Sequence, residues 1–246
     1  MVEADCGAHS LRRAWVEIDL AALRHNYRHL AGLVAPAKIL AVVKADAYGH
    51  GAVAVARALE AEGGEQLAGF AVATAEEAIE LRASGVASEI VVLSPLPPEA
   101  ASVLQRHRLT PVISSLESLQ ALKAFSKGCG WVAPLHLKFD TGMTRLGIDS
   151  NEASSLFELL RSSPELRLEG VLSHLAEAET PDSESNGLQQ ERFRRVLSLL
   201  SPVERAAITV HLVNSAGALH LPESRYDWVR LGIALYGYDS AGRLSA

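Results

Sequence analysis

Cysteine is nearly missing from this chain. Cys6 and Cys129 are the only two, far apart and without metal-ligand spacing. That argues against a cysteine-bound metal, and two free thiols fit a reducing cytoplasm. There is no run or stripe of Lys and Arg, so a nucleic-acid partner is not expected. No apolar stretch is long enough to span a bilayer, so no membrane partner is expected either. Residues Met1 to Ser10 carry acids and no apolar core, unlike a secretory signal. Low-complexity segments are absent, and no Gly-x-Gly-x-x-Gly follows the first predicted strand. The last absence disfavours an open, doubly wound dinucleotide fold.

What is present is a chain of 246 residues, 48% hydrophobic, with a net charge of -6 spread over mixed acids and bases. That length suits one large α/β domain or two small ones. Residues 1–13 read as a lead-in. Ala14 to Leu20 alternates in part and predicts a half-buried strand, and Asp19 is a candidate cap for a helix over Leu20–Val34. The chain then settles into a rhythm of short apolar run, turn and helical pattern. The runs are Lys38–Lys44, Gly69–Thr74, Glu89–Ser94, Leu109–Ser114, Leu135–Thr141, Leu168–His174, Ile208–Ser215 and Val229–Tyr236. Eight strands alternating with helices predict a parallel α/β architecture, and eight is the number that closes a (β/α)8 TIM barrel. The barrel is expected over residues 14–240, with 241–246 as a tail. The acid- and Ser-rich stretch from Glu177 to Gly187 predicts a mobile loop.

In such a barrel the chemistry sits at the carboxyl ends of the strands. Lys44 ends the first run, before Ala45-Asp46-Ala47-Tyr48-Gly49-His50-Gly51. A partly desolvated amine there can lose its proton and attack a carbonyl. Alternation puts Leu135, Leu137 and Phe139 on one face of the fifth strand and His136, Lys138 and Asp140 on the other. The polar set must then point into the barrel, where it needs partners. His174 ends the sixth run, and Asn214-Ser215-Ala216-Gly217 ends the seventh and opens a helical turn suited to a phosphate. Arg230-Leu231-Gly232-Ile233 lies in the eighth.

The string from Lys44 to Gly51 closely resembles the pyridoxal-phosphate attachment motif of the alanine racemase family. Lys138 and Arg145, seven apart, match a second family pattern, with Thr144 where the family usually has glycine. The resemblance runs from about Ala14 to Tyr238 through four motifs. It implies a pyridoxal 5'-phosphate enzyme that racemises a small amino acid, alanine first, giving D-alanine for peptidoglycan. Lys44 would hold the cofactor as a Schiff base and act as the base on one face, the one that serves the D enantiomer. Tyr48, Asn214, Ser215, Gly232 and Ile233 would hold the phosphate, with Tyr236 on the same side. His174 would pack on the cofactor ring, Arg230 would donate to the ring nitrogen, and Arg145 would meet the substrate. Lys138 would carry a carbamate paired with Arg145. An arginine facing the pyridine nitrogen keeps it unprotonated, which limits carbanion delocalisation and favours quick reprotonation.

The family continues into a β-rich domain that supplies a tyrosine, the opposite-face base, to the partner subunit of a homodimer. This chain stops at Ala246. The resemblance therefore implies a barrel without that domain, a monomer or weak dimer. The alternative reading is a non-catalytic pyridoxal-phosphate homeostasis barrel. The Lys44–Gly51 and Lys138–Gly147 motifs resemble the racemase branch.

Overall fold

The structure, a computed structural model, describes residues 14–242. The lead-in at residues 1–13, with Cys6, and all but two residues of the expected tail lie outside them. The first helix, α1 (Leu20–Val34), starts at Asp19, whose Oδ1 accepts from the N–H of Ala21 at 2.7 Å and of Ala22 at 3.0 Å. Leu23, Tyr27, Leu30 and Val34 recur at helical spacing and are buried.

The strands are β1 (Lys38–Val42), β2 (Leu67–Val72), β3 (Ile90–Val92), β4 (Thr110–Ile113), β5 (Ala133–Asp140), β6 (Ile148–Asp149), β7 (Leu166–Leu172), β8 (Thr209–His211) and β9 (Trp228–Leu231). Each pairs in parallel with the next around a ring, β1–β2–β3–β4–β5–β7–β8–β9 and back to β1. The two-residue β6 hangs on the end of β5. This is the closed eight-stranded parallel barrel expected from the apolar runs. The helices α2 (Ala52–Glu62), α3 (Ala75–Ala83), α4 (Ala101–His107), α5 (Leu116–Cys129), α6 (Ala153–Arg161), α7 (Glu184–Leu197), α8 (Pro202–Ala207) and α9 (Ser215–His220) connect the strands.

Strand alternation divides the core in two. Ile39 and Ala41 of β1, and Leu135, Leu137 and Phe139 of β5, belong to the large cluster beneath the helices. Phe139 there meets Phe157 of α6 at 5.8 Å. Leu40, Val42, Ala71, Val91, Val112, Leu172 and Trp228 form a second cluster inside the barrel. The interior also holds polar side chains, as the alternation in β5 required. His136 and His211 are 0% exposed, Arg230 5% and Lys138 8%. The imidazoles of His136 and His211 lie 5.7 and 5.8 Å from the Trp228 ring.

Two expectations do not hold. Ala14–Asp19 forms no strand and is exposed throughout, since alternation makes a strand only where a neighbouring strand pairs with it. The polar stretch after Glu177 is only partly loop, because α7 begins at Glu184 behind a Ser183 cap. Asn186 ties the rest down, its Nδ2 donating to the carbonyls of Glu177 and Thr180. The short α8 behind its Ser201 capping box was not foreseen. Cys129 is an exposed free thiol. Among the described residues no helix is long and apolar enough to cross a membrane.

The buried titratable groups make stability depend on pH. Burial, helped by the charge of Arg230, pushes His136 down to about 3 and His174 to about 2, and puts His211 well below its ordinary value. Each is neutral when folded and gains a proton on unfolding below pH ~6.5, so its contribution is complete above that pH and fades as pH falls. Burial, then repulsion from Glu169, raises Glu89 to about 7. Its contribution has the opposite sign, complete below pH ~4.5 and lost as pH rises through its folded value. Three histidines against one carboxyl leave a net uptake of about two protons on unfolding between pH 5 and 6, so stability should drop by roughly 2–3 kcal/mol per pH unit there. Denaturant midpoints that are equal, or higher at pH 5 than at pH 6, would contradict this.

Candidate active site

The stretch after β1 does not form an ordinary helix. Ala45, Asp46, Ala47 and Tyr48 take φ of 51, 52, 53 and 56°, four successive side-chain-bearing residues in the left-handed region. Left-handed helical geometry costs about 1–2 kcal/mol per residue and is normally visited singly, so the surrounding fold must hold this turn in place. Glu77 of α3 does part of this. Its Oε1 accepts from Ala45 N–H at 2.7 Å, and its Oε2 accepts from Ala73 N–H at 2.7 Å and Thr74 N–H at 3.2 Å. Asp46 does the rest, with Oδ1 accepting from Ala52 N–H at 2.7 Å and its carbonyl from Gly51 N–H at 2.9 Å. These bonds pin the residues on either side of the turn, and Lys44 leads into it at the end of the barrel strand.

A cavity of about 410 Å³ opens at that end of the barrel. Lys44, Tyr48, Lys138, Arg145, His174, Asn214, Ser215, Arg230, Gly232 and Ile233 all line it. These ten were singled out from the sequence, and they come together from β5, β9 and the segments that follow β1, β5, β7, β8 and β9. Tyr236 is different. It lies outside the lining, donates from Oη to the Val42 carbonyl at 3.4 Å and stacks on His50 at 4.3 Å. It is a packed residue because the short 3-10 turn over Ile233–Tyr236 carries it away from the strand end. Tyr48 is therefore the only phenol lining the cavity among the described residues. Gly232 accommodates it, since a Cβ there would stand 2.5 Å from the Tyr48 Oη.

Arg230 anchors the floor. Its Nη1 donates to His211 Nδ1 at 3.0 Å and to the His211 carbonyl at 3.1 Å. Its Nη2 donates to the carbonyls of Leu212 at 2.7 Å and Ser173 at 2.8 Å, and to His174 Nδ1 at 3.1 Å. Arginine has five N–H donors and no acceptor, so with both terminal nitrogens bound to protein the donor left for a ligand is Nε. Because Arg230 can only donate, Nδ1 of both His174 and His211 must accept, which puts their ring protons on Nε2. Burial lowers Arg230 itself to about 10, and it stays charged.

The Ser215 Oγ accepts from the N–H of Gly232 at 3.0 Å and of Ala234 at 3.3 Å, which leaves its own proton for a ligand. Asn214 Oδ1 caps α9 through Gly217 N–H at 3.0 Å. Lys138 is lowered to about 8, first by burial and then by Arg230, Arg145 and Lys44, with only Asp140 opposing them. Asp140 Oδ1 holds the following loop, accepting from Gly142 N–H at 2.8 Å and Thr144 N–H at 3.1 Å. Thr144 takes a φ of 56°, which glycine adopts without cost, so this turn is built under strain.

Sequence reasoning missed three participants. Glu179 lines the cavity and accepts from Asn214 Nδ2 at 3.2 Å. Glu77 and His211 act through contacts distant in sequence. The capping-box spacing from Thr74 to Glu77 was the one local signal available.

A family model described as the N-terminal domain of alanine racemase matches residues 18–240. The alanine racemase of Synechocystis is 43% identical over 235 residues, covering 95% of this chain and 62% of its own length. That of Syntrophobacter fumaroxidans is 42% identical over 228 residues, covering 92% of this chain and 60% of its own. This chain thus spans about six-tenths of the length of those curated relatives. Among solved structures, alanine racemase from Bartonella henselae with covalently bound pyridoxal phosphate superposes with a TM-score of 0.84 at 34% identity, over 93% of this chain and 64% of that one. The alanine racemase of Clostridium difficile gives 0.83 at 36% identity, over 91% and 58%. The chain therefore belongs to the alanine racemase family, and matches the N-terminal domain of its members.

Proposed function

We propose that this barrel carries pyridoxal 5'-phosphate on Lys44 and serves the racemisation of a small amino acid, alanine first. The observation that carries this reading is the meeting of Lys44 with Arg230 in one cavity, the arginine having a single N–H to spare. The residues present fit the cofactor. An amine stands at one strand end, a cationic donor with one N–H to spare lies on the floor, and the hydroxyls of Tyr48 and Ser215 meet the backbone at Gly232.

Bound there, pyridoxal phosphate supplies an electron sink that acidifies the α-hydrogen of an amino acid. Arg230 offers a hydrogen bond to the ring nitrogen without giving up its proton, which keeps that sink weak and favours returning the proton to Cα. Lys44 would serve as acid and base on one face of the substrate, and inversion requires the proton to return on the opposite face. His174, its Nδ1 committed to Arg230, is held neutral with its proton on Nε2. Arg145 makes no hydrogen bond among the described residues and is available for the substrate carboxylate.

Lys138 is proposed to carry a carbamate. The ammonium first sheds a proton; the neutral amine then attacks carbon dioxide, an N–C bond replacing one C=O π bond, and sheds a second proton, so that a buried cation among three others becomes an anion beside Arg145 and Arg230. The lowered pKa supplies the neutral amine this requires.

Borohydride should fix pyridoxal phosphate irreversibly to Lys44, as read by peptide mapping. Lys44→Ala should lose both the link and its absorbance band, and an unchanged band in that variant would sink the assignment. A high-resolution map of crystals grown with bicarbonate should show a carboxyl group on Lys138 Nζ, whereas a bare amine at saturating bicarbonate would contradict the carbamate. With these 246 residues expressed alone and given the cofactor in heavy water, D-alanine should exchange its α-hydrogen faster than L-alanine forms. L-alanine itself should exchange much more slowly, because no second phenol faces Lys44 among the described residues. Losing one acid–base group costs ~10²- to 10⁴-fold. Equal exchange from both enantiomers would reveal a second base.

A further inference from the structure

Two of the few buried side-chain atoms without a hydrogen-bond partner among the described residues face each other. They are His136 Nε2 and Glu89 Oε1, 3.9 Å apart. Buried polar atoms are rarely left unpaired without a reason. Glu89 immediately precedes β3, at the end of the barrel opposite the cavity. His136 lies midway along β5, His211 ends β8, and Arg230 lies in β9.

Proton positions along this row follow from its one fixed donor. Arg230 Nη1 donates to His211 Nδ1 at 3.0 Å, so His211 carries its proton on Nε2. His211 Nε2 is 3.0 Å from His136 Nδ1 and must donate to it. A neutral His136 then carries its own proton on Nε2, aimed at Glu89. The row ends on a donor, and Glu89 Oε1 is the acceptor in reach. At 3.9 Å the two are too far apart for a direct bond and too close to leave room for a bridging water, but a rotation of the flexible Glu89 side chain closes the gap. The fold makes space for the row. A Cβ at Gly170 would stand 2.6 Å from the His136 ring, and Trp228 packs on both imidazoles.

We infer that Glu89 is a remote positioning residue, the terminal acceptor of a relay through His136 and His211 whose tautomers Arg230 fixes, and that its charge tunes the strength of those bonds and the charge distribution of Arg230. Ionised, Glu89 draws the His136 proton toward itself. His211 is then polarised in the same sense and becomes a better acceptor for Arg230. Protonated, Glu89 weakens all three bonds together. Other groups face Glu89 as well. Glu169 on β7 opposes its ionisation, while Arg82 on α3 and the Thr110 hydroxyl on β4 favour it. Burial and Glu169 prevail and place its titration at about 7, within the working range of an enzyme.

The effect on the cofactor rests on the reading of Arg230 given above, whereas the relay itself does not, and two measurements separate them. In the cofactor-free protein, the imidazole N–H protons of His136 and His211, assigned by 15N-labelled histidine NMR, should shift together with a midpoint near Glu89's value of about 7. In Glu89→Gln, which keeps an acceptor oxygen but cannot ionise, the same resonances should be present and flat with pH. With pyridoxal phosphate bound, the absorbance band should follow the same titration in the wild type and lose it in Glu89→Gln. Flat histidine resonances in the wild type, a titration that survives in Glu89→Gln, or a His136 proton on Nδ1 would each overturn the relay. A histidine titration as expected, with no cofactor band at all, would uphold the relay and count against the cofactor reading.

Discussion

One guanidinium organises this barrel. Arg230 is buried and cannot shed its charge, so it must be met by acceptors from every side. Those acceptors are the carbonyls of Ser173, His211 and Leu212, at the ends of β7 and β8, and the rings of His174 and His211. One cation therefore ties three neighbouring strands together and fixes two histidine tautomers. It also leaves a single N–H for a ligand. The inward face of β5 had to be polar because Arg230 and His211 create a polar layer that His136 joins. Lys138, one turn of the pleat further on, meets the same positive field from the cavity side.

The second constraint is strain at Lys44. Four left-handed residues in succession represent about 4–8 kcal/mol of unfavourable backbone, comparable with the net stability of a whole domain. The turn persists because carboxylates hold the backbone N–H groups around it, Glu77 at Ala45 and Asp46 at Ala52. Strain of this kind fixes a side chain's approach direction. Here it brings Tyr48 over Gly232 and keeps Lys44 at the strand end, on the same cavity as Arg230.

Much of this was legible in the sequence. The eight apolar runs all became barrel strands, because parallel strands buried on both faces read as continuous apolar stretches. Their ends were less legible. Lys44 and Thr74 stand beyond the hydrogen-bonded ladder, since the chain turns as soon as the neighbouring strand ends. Ala14–Leu20 misled because alternation says nothing about whether a pairing partner exists. The start of α7 was hidden by its polarity, which a surface helix held by caps tolerates. The site residues were legible because strand ends converge in a closed barrel. The left-handed turn was not, since Ala45 and Ala47 have no preference for that conformation. Nor was the row from Arg230 to Glu89, because its members come from four strands or strand ends and meet only through register.

The most direct test of the account concerns the donor on the cavity floor. Pyridoxal phosphate labelled with 15N at its ring nitrogen should, when bound, give the resonance of an unprotonated pyridine accepting a hydrogen bond, unchanged across neutral pH. Arg230→Glu should move it toward the pyridinium position. A pyridinium resonance in the unaltered protein would mean that a group other than Arg230 faces that nitrogen, and would contradict the role assigned to Arg230.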